Sequence, residues 1–459
     1  MLFALLVVAR PACCDSWHVA EKTPLKLVHA TVNGVLGLYD HEIPFKADND
    51  YVIIYGPNGV GKTRTLEIID ALLRLDGQKL SRLPFASAKL EFTNSYRLAA
   101  TLRKSNDDED DPLLFELSKG NRKICDWPFT SQDSSEWLSE NTPWEPFDDD
   151  YWHNLHNNEL VAQAELESRY AGRIPVRKPA PDVLRSFSER TPSILIETQR
   201  LRAVSFANAR MRPARMRRKK PTSSRISAQA IEMLSLIDQA QRSHSQVTQE
   251  RDRTFPSRVL RSNLNKSQVS DAVIRERYER QNEFRGRLAR VVPVPLADDL
   301  SLPEEKLDSW AIKLLDLYLS DAEEKLEPFQ SLLSRIELLE NILNQRLLRK
   351  QVEVNAANGL EVKEDETGRV IPLDALSSGE QHEIILTFDL LFDVPEGALV
   401  LVDEPEISLH VGWQMKFIPD IRRIGELRNL RFLIATHSPQ IINGEWDNAV
   451  RLGPSEADF

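Results

Sequence analysis

The chain has 459 residues, of which 41% are hydrophobic and 28% are charged, and 59 Lys and Arg against 70 Asp and Glu give a formal net charge of −11. This hydrophobic fraction excludes wholesale disorder, and the length predicts about three domains or one core with large insertions. The negative charge excludes a generic nucleic-acid coat but not a local basic patch.

The N-terminal residues 1–23 are predicted to be a disordered extension. Their apolar run Met1–Ala9 is too short for a bilayer, which takes about 20 apolar residues, and no Lys or Arg precedes it as in a secretory signal. The 3 cysteines of the chain are irregularly spaced and fit neither a disulfide scaffold nor a CxxC zinc site. We therefore expect a cytoplasmic protein without a membrane span.

Residues 25–73 are predicted to form strands followed by a helix. The strand Tyr51–Tyr55 ends at Gly56, and Thr63–Leu73 has apolar residues at helical spacing. Beyond residue 80 the pattern is weaker, with a strand pair around Ala88–Leu98 and acidic runs at 107–111 and 148–150. We interpret these runs as solvated loops, with a carboxylate metal site as the sharper alternative.

A basic segment follows a predicted strand at Ser193–Glu197. Between Thr198 and Arg225 there are ten basic residues and no acidic one. Such a cluster can contact the phosphates of a nucleic acid. A solvated loop, or a contact with the acidic runs or with a partner, is the alternative. The densest part consists of Arg212, Arg215, Arg217, Arg218, Lys219 and Lys220.

The next region is predicted to be helical, with candidate helices Ile226–Gln241, Val269–Arg290 and Pro303–Arg349. In the last helix an apolar stripe, interrupted at Pro328, is typical of a helical arm or of an insert packed on a core. After it the pattern returns to strands. Two apolar runs, at 398–402 and 431–435, are predicted to be buried parallel strands, whose ends carry the chemistry in α/β sheets.

The loop between the first strand and helix satisfies the phosphate-loop pattern G-x-x-x-x-G-K-[ST]. Its glycines let backbone N–H groups point at phosphate oxygens, while the lysine adds positive charge and the threonine hydroxyl can hold Mg²⁺. This predicts binding of a nucleotide together with Mg²⁺. The predicted nucleotide-binding residues are Gly56, Pro57, Asn58, Gly59, Val60, Gly61, Lys62 and Thr63.

A second element completes the chemistry. The strand at 398–402 is followed by two carboxylates, Asp403 and Glu404. Asp403 is the predicted Mg²⁺ partner together with Thr63, and Glu404 is the predicted catalytic base that polarises the attacking water.

The segment Leu376–Gln381, with sequence LSSGEQ, resembles the signature motif of ABC-type ATPases in the form found in the SMC and RecF-like branch. Ser408–His410 lies where that family has its D-loop, and Ala435–Ser438 lies where it has the switch histidine, here His437. Gln199 is the candidate for the glutamine loop. Serine at 378 and histidine at 410 depart from the transporter pattern and argue against a transport role.

The resemblance implies an α/β fold: an ABC-type P-loop ATPase head with an inserted helical arm. It also implies a head-to-tail dimer in which Ser378 and Gly379 of one chain cover ATP bound to the other, while His437 contacts the γ-phosphate and links it to Glu404. We expect an extension at 1–23, an ATPase lobe with the phosphate loop at 24–95, an insertion at 96–192, a return to the head at 193–210, a basic loop and helical arm at 211–349, and a lobe with the signature, Walker B strand and switch histidine at 350–459.

The segments 37–43, 403–414 and 435–442 look most like the prokaryotic AAA-family ATPases of the OLD and phage-defence groups, in particular the ATPase subunits of two-gene systems such as Septu and PARIS. OLD nucleases carry a C-terminal Toprim domain, which we do not expect here. The resemblance therefore implies an effector, a nuclease or toxin, encoded by a neighbouring gene.

Three hypotheses remain open at the level of sequence. The first is an ATPase that dimerises around nucleotide and regulates this effector in antiviral defence. The second is a RecF- or SMC-like DNA-repair ATPase whose basic segment clamps duplex DNA. The third is a scaffold that binds ATP and turns it over slowly.

Overall fold

The fold is known from a computed structural model. The structure describes residues 25–46, 49–102, 113–129, 134–147, 151–157, 159–170, 179–197, 224–261, 269–292, 302–303 and 305–454. The chain divides into two compact units. Unit 1 contains the residues up to Phe45 together with Ala71–Pro192, and unit 2 contains Lys46–Asp70 and the residues from Ser193 onward.

The strands are short and follow the alternating or apolar patterns of the sequence. They are β1 (Leu27–Val35), β2 (Tyr39–Pro44), β3 (Tyr51–Tyr55), β4 (Ser87–Phe92), β5 (Tyr96–Leu102), β6 (Leu113–Lys119), β7 (Arg122–Phe129), β8 (Trp144–Pro146), β9 (Tyr151–Asn154), β10 (Leu160–Ala162), β11 (Ser193–Glu197), β12 (Lys350–Asn355), β13 (Gly359–Glu364), β14 (Val370–Ile371), β15 (Leu399–Asp403), β16 (Arg431–Ala435) and β17 (Ala449–Arg451).

The helices include three that are much longer than the rest. They are α1 (Lys62–Leu73), α2 (Gly77–Ser81), α3 (Ser134–Asn141), α4 (Gln163–Arg169), α5 (Asp182–Arg190), α6 (Arg225–Arg261), α7 (Asp271–Val291), α8 (Ser309–Asn344), α9 (Ser378–Phe388), α10 (Val411–Arg428) and α11 (Pro439–Ile442). A π-helical turn, Asp389–Asp393, continues α9.

Unit 1 is built on antiparallel sheets. Six strands pair in the order β2-β1-β4-β5-β6-β7, and three more in the order β10-β9-β8. The pairing of β4 with β5 confirms the predicted strand pair around Ala88–Leu98. The same sheet continues through β6 and β7, which the sequence pattern did not indicate, and it extends across the predicted boundary at residues 95 and 96. The predicted domain boundaries stay a prediction.

Unit 2 is built on a parallel sheet in the order β11-β15-β16-β3-β17. Its strands are apolar runs with both faces covered, as is typical of parallel sheets: β3 and β15 are buried except at the last residue of each, and β16 is buried throughout. Because β16 lies between β15 and β3, the carboxyl ends of these three strands meet at one edge. The loops that follow them carry the predicted chemistry.

The helical region forms an arm of three packed helices in unit 2. Ion pairs Arg258–Asp321 and Lys325–Asp252 join α6 to α8, and Arg287–Glu337 joins α7 to α8. This confirms the predicted fold class, an α/β P-loop head with an inserted helical arm. The helix α6 continues 20 residues beyond the predicted end at Gln241, with Pro256 inside it.

The helix α8 also runs through Pro328 without a break. Proline removes one backbone donor and displaces a nearby carbonyl. The ring of His244 on α6 contacts α8 close to this proline: its Nδ1 lies 2.6 Å from the carbonyl oxygen of Lys325. Since a carbonyl only accepts hydrogen bonds, Nδ1 carries the proton.

Several predictions fall on residues outside the described ranges. These are the extension at 1–23, the acidic runs at 107–111 and 148–150, Gln199, and the six basic residues from Arg212 to Lys220. Among the helices that the structure describes, not one has the length and apolar character that crossing a membrane requires.

Candidate active site

The phosphate loop joins β3 to the first turn of α1. Lys62 is the first residue of α1 and is buried. Its ammonium donates to the carbonyls of Gly56 and Pro57, each at 3.0 Å. Burial lowers the pKa of Lys62, and the nearby carboxylates, chiefly Glu404, offset part of this effect. The loop thus folds around a lysine that is held at the positive end of a helix.

The glycines of the loop are needed for its backbone path. Gly59 and Gly61 both have a φ of 86°, in the left-handed region that favours glycine. At Gly56 the reason is space: a Cβ atom would lie 2.3 Å from the carbonyl oxygen of Leu452. That close approach belongs to the segment after β17, where the amide of Leu452 donates to the carbonyl of Tyr55 at 2.8 Å.

Thr63 and Asp403 come together as predicted for a shared Mg²⁺ site. The Thr63 hydroxyl lies 3.1 and 3.0 Å from the two carboxylate oxygens of Asp403. Burial raises the pKa of Asp403 to about 6; the Thr63 hydrogen bond lowers it, and Glu404, Glu197 and Glu67 raise it further. Negative charge is therefore concentrated next to the phosphate loop.

The sequence pattern did not indicate Glu197 and Glu67 as members of this group. Glu197 is the last residue of β11 and is paired in register with Asp403. Glu67 lies one helical turn after Thr63 on α1, and so on the same face of that helix. The sequence pattern predicted the strand that ends at Glu197 and the helix that contains Glu67. It could not show that either carboxylate lies near Asp403, because that depends on the order of the strands in the sheet.

Glu404 stands directly after β15 in a left-handed backbone conformation, with φ 47° and ψ 57°. Its amide donates to the carbonyl of Ala435 at 2.9 Å, and its carboxylate lies 3.9 Å from Nε2 of His437. His437 Nδ1 lies 3.5 Å from the Lys62 ammonium. Burial and then the Lys62 charge lower the pKa of His437, while Glu404 and Glu406 raise it in part.

The protonation of His437 follows from these neighbours. Lys62 can only donate, so the 3.5 Å approach of its ammonium to Nδ1 favours the neutral tautomer of His437 with its proton on Nε2, the nitrogen that faces Glu404. The structure therefore brings Lys62, Glu404 and His437 together, as the resemblance implied.

Glu406 is a further residue of this site that the sequence pattern did not indicate. Its carboxylate accepts from the Thr436 hydroxyl at 2.8 Å and from the His437 amide at 2.6 Å. It thereby connects the turn after β15 to the loop after β16. An acidic residue three positions after Asp403 is visible in the sequence, but the contact depends on the adjacency of β15 and β16.

The signature segment lies at the start of α9. Ser377 caps the helix, and the Ser377 amide donates to the Glu380 carboxylate at 2.9 Å, which completes a capping box. Lys350 donates to Glu380 at 2.5 Å. Ser378 is exposed and Gly379 is half-buried, and both belong to the first turn of the helix. The segment is thus preformed and faces solvent.

The chemistry of these residues fits a nucleoside triphosphate with Mg²⁺. A hydroxyl and a carboxylate are oxygen ligands that Mg²⁺ prefers, and protein Mg²⁺ sites typically use one or two carboxylates plus substrate phosphates. Lys62 has its ammonium on neutral carbonyls rather than in a close ion pair. Within the described ranges, no group of three or more His, Cys, Asp or Glu side chains could hold a metal ion.

The fold and this site together define a P-loop ATPase: a phosphate loop after one parallel strand, two carboxylates after another, and a polar loop after the strand between them. Comparison with known families gives the particular group. Residues 52–443 match the family described as "AAA domain, putative AbiEii toxin, Type IV TA system", and the chain belongs to this family.

Solved structures similar to this chain include SMC head domains. One is the Smc head domain with an extended coiled coil bound to the C-terminal domain of ScpA from Pyrococcus furiosus, at 14% identity and a TM-score of 0.34, covering 93% of each chain. Another is the SMC head domain from Thermotoga maritima, at 11% identity and a TM-score of 0.32, covering 94% of this chain and 99% of that one.

Proposed function

We propose that the protein hydrolyses ATP in a Mg²⁺-dependent reaction. The observation that carries this proposal is the meeting of Lys62, Thr63, Asp403, Glu404 and His437 at one edge of the parallel sheet. Four of these five residues were proposed from phosphate-loop and Walker B chemistry, and His437 from the family resemblance.

Each residue has a role that its surroundings support. Lys62 and the start of α1 bind phosphate through charge and amides, and Thr63 with Asp403 holds Mg²⁺. When bound, this ion neutralises charge that develops on the transferred phosphoryl group. Glu404 orients and deprotonates the attacking water. The neutral ring of His437 faces Glu404 with its Nε2 proton and orients that carboxylate.

We further propose that two chains dimerise around nucleotide and regulate a separate effector, a nuclease or toxin, in cytoplasmic antiviral defence. The exposed first turn of α9, with Ser378 and Gly379, supports the dimer, because its amides are available to a ligand on another chain. The family description supports the defence role, because it names a toxin and a Type IV TA system.

A RecF- or SMC-like DNA clamp is the second candidate function. The observation that favours it is the segment from Thr198 to Arg225, with ten basic residues and no acidic one in a chain of net charge −11. Of these ten, Arg225 is ion-paired with Asp389 within the chain. Contacts to DNA phosphates would make any DNA effect fall steeply with salt. On this hypothesis the basic residues from Arg212 to Lys220 contact DNA phosphates.

The test is ATP turnover by the purified wild type and by Glu404→Gln, each with and without duplex DNA at two salt concentrations. We expect Glu404→Gln to lower kcat about 100-fold or more, because a general base contributes this much, and to leave ATP binding in place. Glu426→Gln, which changes an exposed glutamate of α10, is the matched control and should turn over ATP at the wild-type rate.

The outcomes separate the candidates. Turnover that is lost in Glu404→Gln and indifferent to DNA supports an ATPase regulated by a protein partner. Stimulation by DNA that disappears in high salt and in Arg215→Ala, Arg217→Ala, Arg218→Ala supports the clamp. Equal turnover by wild type and Glu404→Gln would refute the catalytic assignment.

A further inference from the structure

Glu406 is one member of a closed ring of hydrogen bonds beside the proposed catalytic residues. The Thr436 hydroxyl donates to one carboxylate oxygen of Glu406 and accepts from the Ser438 amide at 2.9 Å. The Ser438 hydroxyl lies 2.7 Å from the side-chain oxygen of Gln414. The side-chain nitrogen of Gln414 then donates to the backbone carbonyl of Glu406 at 3.3 Å.

This ring connects two loops that leave neighbouring strands. Glu406 and Gln414 follow β15, whereas Thr436 and Ser438 follow β16. Thr436 is fully buried and Ser438 is nearly so, so their polar atoms need these partners. The ring therefore fixes the loop after β16 against the turn after β15.

The second carboxylate oxygen of Glu406 acts on His437 itself. It accepts the His437 amide at 2.6 Å, and so determines where the backbone of this residue lies. The imidazole extends from that point to within 3.5 Å of Lys62 and 3.9 Å of Glu404. Neither of these two contacts is short enough to position the ring alone.

We propose that Glu406 is a positioning residue that holds His437 between the phosphate loop and Glu404. Both oxygens of the carboxylate accept hydrogen bonds, one from a hydroxyl and one from an amide. A glutamine could accept only one of them, because its amide nitrogen donates. The inference rests on the proposed ATPase function, since it assigns Glu406 a part in that reaction.

The charge of Glu406 also reaches the ring of His437. The charged groups that face this ring are Lys62, whose charge lowers the pKa of His437, and Glu404 and Glu406, which raise it. Replacing Glu406 with a neutral residue should therefore lower the pKa of His437 further. A residue that merely supported the fold would not move this value.

The experiment compares Glu406→Gln with wild type in three measurements: steady-state ATP kinetics, NMR titration of the His437 ring, and hydrogen exchange of the His437 amide. We expect kcat to fall about 10- to 100-fold, as for a small misplacement of a reacting group, with KM changed less than about twofold. The pKa of His437 should fall, and its amide should exchange faster.

Two further variants sharpen the result. Thr436→Val removes the hydroxyl partner and should lower kcat without lowering the pKa of His437, because the Glu406 charge remains. Thr436→Ser keeps a hydroxyl and should restore most of the loss. Glu426→Gln, an exposed charge change on α10, should leave all three measurements at wild-type values.

The titration and the exchange do not require turnover. A wild type that hydrolyses no ATP, together with a lowered His437 pKa and faster exchange in Glu406→Gln, would refute the proposed function and support this inference. If Glu406→Gln leaves both His437 measurements and kcat at wild-type values while remaining folded, the inference is overturned. A lower kcat that is accompanied by a loss of thermal stability, without a change in the pKa of His437, also overturns it.

Discussion

Two of the places where unit 2 buries charged side chains pair these charges differently. At the carboxyl edge of the parallel sheet, Lys62 rests on neutral carbonyls, and His437 is 3.5 Å from it and 3.9 Å from Glu404. Between α8, α9 and α10, by contrast, Arg346 is 8% exposed and forms ion pairs with Glu383 and Asp420.

The difference distinguishes a buried charge that a ligand could pair with from a buried charge that is already paired within the fold. Burying a charge is costly, and the cost is recovered only where opposite charges and hydrogen bonds surround it. The ion pairs of Arg346 with Glu383 and Asp420 offset this cost within the chain. On the proposed function, a bound phosphate supplies the missing part at Lys62, and we therefore expect opposite changes in the free energy of unfolding when Arg346 and Lys62 are replaced.

The largest effect on stability is expected for Arg346→Ala. The change leaves the buried Glu383 without its counter-charge and Asp420 with only Arg423, at 3.7 Å, so the free energy of unfolding should fall by about 3–5 kcal/mol. Urea unfolding measures this value. Arg242→Ala, which removes an exposed arginine paired with Asp238, should change it by less than about 1 kcal/mol. A loss of similar size in both variants would contradict the interpretation.

Lys62→Met tests the opposite case. ATP affinity should fall about 10- to 100-fold, the value of hydrogen bonds to a charged group, while the free energy of unfolding stays equal or rises because a buried charge is removed. Calorimetric titration with ATP and urea unfolding check the two parts. Lys416→Met, an exposed change on α10, is the control. A clear loss of stability in Lys62→Met would place Lys62 with Arg346 instead.

Gly56→Ala examines how tightly the phosphate loop is packed. The added Cβ would lie 2.3 Å from the carbonyl oxygen of Leu452, so we expect a loss of roughly 1–3 kcal/mol in the free energy of unfolding. Gly286→Ala in α7 meets no atom within 4 Å and should instead stabilise by about 1 kcal/mol. Destabilisation of the same size in both would show that space at Gly56 is not the cause.

A third group of charges lies between these two cases. Glu232, Asp389 and Asp393 share Arg225 as a cation, and burial together with their mutual repulsion raises the pKa of each to about 6. The folded chain therefore binds more protons than the unfolded chain between about pH 4 and pH 6. Stability should fall as the pH rises through this window.

The smallest predicted effect follows from this group. Asp393→Asn removes one of the three carboxylates, so the decrease in Tm between pH 5 and pH 7 should be smaller than in wild type by about 1–2 °C. Differential scanning calorimetry at both values measures it. Asp238→Asn, an exposed change on α6, should show the wild-type decrease. An unchanged pH dependence of Tm in Asp393→Asn would contradict a raised pKa of Asp393 in the folded chain.

Much of the head was predictable because its information is local. The strand Tyr51–Tyr55, the glycine-rich loop and the following helix are contiguous, and the buried runs before Asp403 and Thr436 read directly as parallel strands. Strands β6 and β7 were missed because each has polar residues at one end, at 118–119 in β6 and at 122–123 in β7, and because Pro128 interrupts the strand pattern of β7. The local sequence pattern therefore predicted the parallel strands next to the candidate site, but it missed part of the antiparallel sheet.

The candidate site shows the same limit. Lys62, Thr63, Asp403 and Glu404 were identified because their motifs are short and carry a mechanism. Glu406 was not, because its contacts reach 30 and 31 residues along the chain. The contact between His244 on α6 and Lys325 on α8 is equally invisible to a local pattern, because it spans 81 residues.

The backbone of Glu404 lowers the stability of the fold. A residue with a side chain held at φ 47° costs about 1–2 kcal/mol relative to an ordinary conformation, and glycine would avoid this cost. Glycine, however, would leave this turn without a carboxylate. On the proposed function, the unfavourable backbone conformation is the stability that the chain gives up to place a base directly after β15.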